Sequence, residues 1–320
     1  MLLDSEFDIE YDHFDAAAEG LREALTSTGN GYFATRGTAE WEDMGPVHYP
    51  GTYAHGCYNR ETTIMGGHPV LNEDLVNLPN WLVLKLRIEG EDAIRLDNVE
   101  LLSYRHSYDI ETATVQRELR FRDRSGRETT LRSRRFVSMA HSHQAAIEWI
   151  LTPENWSGRG EVSSALDGRV TNGNVARYRE LWGRHLVPDS PRTFGDETIA
   201  LRVKTRQSDI YVAEAARTRV FGAAPVKRAL FQTEDYIQQV LAFEVAQGAP
   251  VRVEKMIALF TSHDNAITEP LVAAGRHALR YTNFAEAYAL HQAAWNELWE
   301  VCDVRLPCEP RAQLLLRLHI

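Results

Sequence analysis

The chain has 320 residues, of which 44% are hydrophobic and 25% charged, with a formal net charge of -10 and a sequence pI near 5.7. That length admits about two domains of roughly 150 residues, and the ordinary apolar content supports a large core, which excludes disordered and collagen-like chains. The acidic balance gives no general attraction to phosphate backbones or anionic bilayers, so neither nucleic acid nor membrane is expected as a partner.

The first residues, MLLDSEFDIEYDHFD, are acidic and lack an apolar targeting core. No apolar run approaches the ~18 residues that a membrane-spanning helix needs. Cys57, Cys302 and Cys308 are too few and too scattered for a disulfide framework or a zinc site. A cytoplasmic protein is expected. DAAAEGLREAL can form a short helix or turn, and TGNGYFATRG carries Gly29, Gly31 and Gly37. Their spacing matches neither phosphate-binding glycine pattern, so a tight turn entering a strand is the reading.

Residues 38–80 read as long and irregular, rich in aromatics and histidines: Trp41, His48, Tyr49, Tyr53, His55, Tyr58, His68 and Trp81 just beyond. Ordered loops of such length usually carry function. From Leu82 the texture alternates. WLVLKLRIEG, TVQRELRFRDRSGRETTLRSRRFVS and QAAIEWILTPENWSG place every second residue on one face, with a hairpin turn at Asp123 to Gly126. ETIALRVKTRQSDIYVAEAARTRV and DYIQQVLAFEVAQGAPVRVEKMIALFTS continue the pattern. Strands without intervening helices predict an antiparallel sandwich.

Between these runs lies Leu166 to Leu186, LDGRVTNGNVARYRELWGRHL, in which turn dipeptides precede Arg177, Tyr178, Arg179, Trp182, Arg184 and His185. Near residue 264 the period becomes helical. AITEPLVAAGRHALRY and NFAEAYALHQAAWNELWEV predict two helices, the second opened by Asn283 with Glu286 three residues on. Pro310 opens a last amphipathic helix, whose apolar end, Leu318 to Ile320, needs either a longer chain or another element to dock on.

No local pattern announces catalysis. His141 and His143 form a lone HxH without a third ligand, and no nucleophile elbow, HExxH or CxxC occurs. Asp167, Glu180, Glu40, Glu42 and Glu61 are the acids best placed, because they lie in the two irregular regions. A turn role for Asp167 and an ion pair with Arg177 or Arg184 for Glu180 compete with any catalytic role.

TGNGYFATRG, YPGTYAHGCYNR, LVNLPNWLVLKLRIEGE, the SYRHSYD…PENWSG run and SALDGRVTNGNVARYRELWGRHL, in that order, resemble the N-terminal part of glycoside hydrolase family 65. The likeness runs from about residue 28 to the end. It implies a mainly β chain: a large antiparallel, galactose-mutarotase-like super-sandwich over residues 1–263, a two-helix linker over 264–302, and the truncated start of a catalytic (α/α)6 barrel over 303–320. The family holds inverting phosphorylases of maltose, trehalose, kojibiose and related α-glucosides, with some hydrolases. It implies no cofactor beyond inorganic phosphate as co-substrate. Its general-acid glutamate and phosphate site belong to the barrel, so no catalytic residue is assigned here and the chain alone is expected to be inactive.

Local chemistry, not the family, singles out Arg177, Tyr178, Trp182 and His185, with Trp41, Tyr53 and Trp81, as lining either the boundary with the barrel or the substrate pocket. An autonomous carbohydrate-binding or mutarotase-like sandwich is a second expectation. A third makes the sandwich a subunit interface of a homodimer.

Overall fold

Apolar alternation from residue 82 onward is realised as an antiparallel framework in the computed structural model, which describes residues 6–173, 181, 183–306 and 309–319. The chain runs through β1 (Asp8–Tyr11), α1 (Glu19–Leu25), β2 (Thr28–Gly29), β3 (Phe33–Thr35), β4 (Thr52–Ala54), β5 (Tyr58–Met65), β6 (His68–Leu75) and β7 (Leu84–Ile88). There follow β8 (Glu100–Asp109), β9 (Thr114–Arg122), β10 (Glu128–Val137), β11 (Gln144–Pro153) and β12 (Gly158–Asp167). Next come β13 (Leu186–Phe194), β14 (Thr198–Thr205), β15 (Tyr211–Phe221), β16 (Lys227–Thr233), β17 (Tyr236–Val245) and β18 (Val251–Thr261). The helices α2 (Pro270–His277), α3 (Phe284–Cys302) and α4 (Pro310–Leu318) close the described chain.

A nine-stranded sheet in the order β1-β8-β9-β10-β11-β18-β15-β14-β13 faces a four-stranded sheet, β16-β17-β12-β7. Between them lie Ile147, Trp149, Val253 and Ile257 from the large sheet, and Leu84, Val162, Ile237 and Phe243 from the small one, all buried. Each such side chain contributes about 1.5–3 kcal/mol by leaving water. The Lys255 ammonium also points inward and bridges the layers by donating to the carbonyls of Ala165 (2.8 Å) and Val83 (3.0 Å).

The other face of the large sheet is covered by helices, so β15 and β18 are buried on both faces over most of their length. Small residues there, Ala200, Ala213, Ala215 and Ala258, let α2 approach with Leu271 and Ala274. Phe284 and Ala287 of α3 pack on Phe136, Ala146 and Met256. Both helices start on side-chain caps. Glu269 accepts from the N–H groups of Leu271 and Val272, and Asn283 accepts from Glu286 N–H at 2.9 Å. The Glu286 carboxylate returns one residue earlier than a standard capping box, to Thr282 N–H. The last helix does find an element to dock on. Leu314 and Leu318 pack in the cluster of Ile9, Tyr11 and Tyr108, and Arg317 pairs with Asp303 and Glu6.

Residues 38–80 depart from the irregular reading. They contain β4 and a projecting hairpin of β5 and β6, closed by Gly66 and Gly67, both at positive φ. Only Asn59 and Glu61 of this hairpin are buried, so its sequence has no apolar alternation to reveal it.

Candidate functional site

The two irregular regions meet. Asn77 lies between Val76 and Leu78, both fully buried, and its amide is buried with them. It accepts from Thr52 N–H at 2.9 Å and donates to Thr171 O at 3.2 Å. Asn172 reciprocates, accepting from Asn77 N–H at 2.9 Å and donating to Leu75 O at 2.8 Å. Its own N–H donates to Gly183 O at 2.8 Å. Two asparagines therefore fix the chain on either side of residues 174–182.

Above them stand two phenols. The Tyr49 hydroxyl donates to Thr171 O at 3.2 Å, so the 3.0 Å contact with Tyr53 has the Tyr53 hydroxyl as donor. Burial pushes the Tyr53 hydroxyl well above its ordinary value. The Arg36 guanidinium stacks 5.6 Å from the Tyr49 ring centre.

A second polar chain runs from the β5–β6 hairpin to the start of β13. Asn59 Oδ1 accepts from the N–H groups of Gln207 (2.9 Å) and Ser208 (3.1 Å), which identifies its other atom as nitrogen. That Nδ2 donates to Glu61 Oε1 at 3.1 Å and to His185 Nδ1 at 3.0 Å. His185 Nδ1 is thus an acceptor, and the imidazole proton sits on Nε2, 3.3 Å from Asp74 Oδ2. Burial holds His185 below the ordinary histidine value despite Asp74 and Glu61, so it is neutral at pH 7. Glu61 also lies 3.3 Å from the Arg206 guanidinium.

Of the residues singled out by sequence, Tyr53 and His185 lie in these two networks. Trp41 and Trp81 are in the core: Trp41 packs 6.0 Å from Trp149, and Trp81 donates to Thr35 Oγ1 at 2.9 Å. At 3% and 0% exposure neither indole has a face open to a sugar. Arg177, Tyr178 and Trp182, with Glu180, lie outside the described residues. Asn59, Asp74, Asn77 and Asn172 complete these networks and were not among the candidates from sequence. The one signal was an asparagine set inside the apolar run VNL.

An acid catalyst must combine a raised pKa with access to substrate. Burial pushes Glu214 far up, and neither of its oxygens has a partner, but it is fully enclosed between the sheets. Burial also pushes Glu40 up, yet the guanidiniums of Arg135 and Arg117 outweigh it and hold the carboxylate low; it pairs with Arg135 at 2.7 Å. Asp167 is held by a bidentate Arg169. His141 and His143 are engaged separately, with Tyr281 and with Leu259 O. No group of three metal-ligating side chains occurs among the described residues. Among the described residues the site is therefore a set of amides, phenols, the Glu61 and Asp74 carboxylates and one neutral imidazole, suited to hydrogen-bonding hydroxyl groups and to holding a surface in shape.

Comparisons with known proteins bear on the family and the fold. The model of "Glycosyl hydrolase family 65, N-terminal domain" matches residues 9–298. An uncharacterized glycosyl hydrolase of Mycobacterium tuberculosis is 39% identical over 99% of this chain, which spans 24% of that protein. A kojibiose phosphorylase of Caldanaerobacter subterraneus subsp. tengcongensis is 28% identical over 99% of the chain, which spans 41% of it. A solved structure assigned as a kojibiose phosphorylase from the human microbiome superposes with a TM-score of 0.81 at 15% identity, over 98% of this chain and 40% of that one. This last likeness is one of fold. The chain thus spans between a quarter and two fifths of the length of the curated relatives it matches.

Proposed function

The chain belongs to glycosyl hydrolase family 65, matching its N-terminal domain, and from that membership we propose that it is the non-catalytic domain of an inverting phosphorylase or hydrolase of α-glucosidic disaccharides. The kojibiose phosphorylase relative favours phosphorolysis of a disaccharide of kojibiose, trehalose or maltose type. On this reading residues 1–263 are the sandwich, 264–302 the helical linker and 303–320 the first turns of a catalytic (α/α)6 barrel that lies in cis in the complete enzyme. In an inverting reaction one carboxylic acid protonates the glycosidic oxygen while phosphate, or water activated by a second carboxylate, attacks from the opposite face. The observation that supports the non-catalytic role is that, among the described residues, the most strongly raised carboxylate, Glu214, is sealed in the core.

The sandwich then works as support. On this reading Tyr53 belongs to the surface offered to the barrel or to its pocket, the buried His185 acts only through the network that holds that region in shape, and Arg177, Tyr178 and Trp182, which lie outside the described residues, remain candidates from their chemistry. The protein acts in the cytoplasm; no helix among the described residues is long and apolar enough to cross a membrane.

Incubating the 320-residue chain with kojibiose, trehalose or maltose and phosphate, and assaying glucose 1-phosphate and free glucose, tests the reading. No product is expected. Turnover that survives repurification would overturn it. Calorimetric titration with the same sugars separates the second expectation: saturable binding would mark an autonomous carbohydrate-binding module, and its absence supports a domain that needs its barrel.

A further inference from the structure

Three connections, between β1 and α1, between β3 and β4 and between β7 and β8, meet around a cavity of about 360 Å³. Its walls are Phe14, Ala16, Met44, Pro46, Val47 and Leu96. Small-molecule sites begin at about this size and are mostly apolar, with a few placed polar groups. Here those groups are Glu42 and His48.

The imidazole is fixed from behind. Glu23, fully buried, accepts from His48 Nδ1–H at 2.9 Å and from Tyr49 N–H at 3.0 Å. That leaves His48 Nε2 3.7 Å from Glu42 Oε2. Burial lowers the His48 value, but the Glu23 bond and the charges of Glu42 and Glu23 outweigh it and raise it, so at pH 6 Nε2 also carries a proton. The Glu42 carboxylate is 6% exposed and its side chain makes no hydrogen bond among the described residues. Cations at the rim are already engaged: Lys85 holds Asp43 at 2.6 Å and Arg95 holds Asp97 at 3.0 Å. A buried carboxylate without a donor costs free energy that a bound donor recovers. The 3.7 Å gap is too long for a hydrogen bond and short enough for one oxygen to reach both atoms.

We propose that this cavity binds a small neutral phenol, whose hydroxyl donates to Glu42 Oε2 and accepts from His48 Nε2–H while its ring lies against Phe14, Met44 and Val47. A hydroxyl is the group that meets both atoms, since it donates and accepts through one oxygen. An ammonium would face the imidazolium, and a carboxylate or phosphate would face Glu42, so charge disfavours both ionic classes. The walls decide the body of the ligand. Six apolar side chains would leave the remaining hydroxyls of a sugar without partners, whereas an aromatic ring loses nothing there and gains contact with Phe14. The proposal stands independently of the catalytic reading above.

Titration of the 320-residue chain with p-cresol at pH 6, followed by calorimetry and by NMR of the methionine methyl groups, tests this. Saturable binding with a Kd at or below about 1 mM is expected, with a shift of the Met44 methyl. Toluene has the same ring and methyl group without the hydroxyl, and should bind at least about tenfold more weakly. Glu42→Leu is expected to weaken p-cresol at least about tenfold and to leave toluene unchanged. Ala16→Trp, at an exposed position on the rim, fills the mouth and should abolish binding of both with the fold intact. Should Glu42→Leu fail to fold, the toluene comparison and Ala16→Trp decide the matter. No saturation up to about 10 mM, toluene as tight as p-cresol, binding without a shift at Met44, or binding that Ala16→Trp leaves unchanged would each overturn the proposal.

Discussion

The orientation of the Asn59 amide decides the protonation of His185, because its oxygen is committed to two backbone N–H groups and only its nitrogen is left for the imidazole. Asn59→Asp keeps the first contacts and replaces the donor by an anion. His185 must then carry a proton on Nδ1 to meet it, and Glu61 acquires a like charge where it had a donor. The variant is expected to lose about 1–3 kcal/mol at pH 7, the cost of leaving buried polar groups mismatched. Its pH dependence should also change sign. In the native chain His185 is held below its ordinary value, so its contribution is complete above about 6.5 and is lost as pH falls. In the variant it is raised, and its contribution is complete below about 6.5 and lost as pH rises. Urea titrations at pH 7 and 5.5, with the imidazole followed by NMR, check this; a His185 titration unmoved by Asn59→Asp would refute the assigned tautomer. The candidates drawn from sequence include His185 and Tyr53, which lie in polar networks, and Trp41 and Trp81, which lie in the core, since a ring suited to a sugar and a ring suited to a core are the same residue until burial is known. The asparagines stayed hidden because an amide that closes a network has no periodicity.

At the scale of elements, a strand was legible where one face met a core. Runs such as Gln144–Pro153 and Val251–Thr261 bury almost every residue and are rich in apolar side chains. The hairpin of β5 and β6, β13 with its prolines, and the exposed β16 bury little on either face, so alternation had nothing to report there. Helix starts were legible for a different reason: a cap is a local device written in two or three adjacent residues. Of the 19 residues of α3, three are buried, Phe284, Ala287 and His291, and two of these lie in its first turn and a half. Its start therefore depends on the Asn283 bond to Glu286 N–H as well as on packing. Asn283→Ala is expected to lower stability by about 1 kcal/mol and to speed hydrogen exchange at the first amides of α3 while leaving those near His291 unchanged. Uniformly faster exchange along the helix would show that the cap holds the whole helix down, contrary to this division.

For the whole molecule, histidine burial sets the response to acid. His106 is fully buried with neither nitrogen paired, and burial, reinforced by the charges of Arg117, Arg135 and Arg22, holds it far below its ordinary value. His291 joins three elements: its Nδ1 accepts from Met139 N–H at 3.0 Å and its Nε2–H donates to Thr112 O at 2.6 Å. Burial pushes it down to about 4. Both are neutral in the folded chain and charge when it unfolds, so the unfolded state binds more protons as pH falls below about 6.5, and stability falls with it. Each such proton is worth about 1.4 kcal/mol per pH unit, so the pair gives a slope approaching about 3 kcal/mol per unit near pH 5, and the His291 share fades as pH nears its folded value of about 4. His48 has the opposite sign. Burial alone would lower it, but the Glu23 bond and the charges of Glu42 and Glu23 raise it, so its contribution is complete below about 6.5 and fades as pH rises. His48 therefore acts above about pH 6.5 and the buried pair below it, so His48 does not offset their loss on acidification, to which His185 adds. His291→Gln tests the assignment, because an amide can accept from Met139 N–H and donate to Thr112 O without titrating. Its urea midpoint near pH 7 should stay close to the native value, while its decline between pH 6 and 4.5 should be shallower by about one proton. Equal slopes for the two chains would mean that acid unfolds the protein through its carboxylates and not through this buried imidazole.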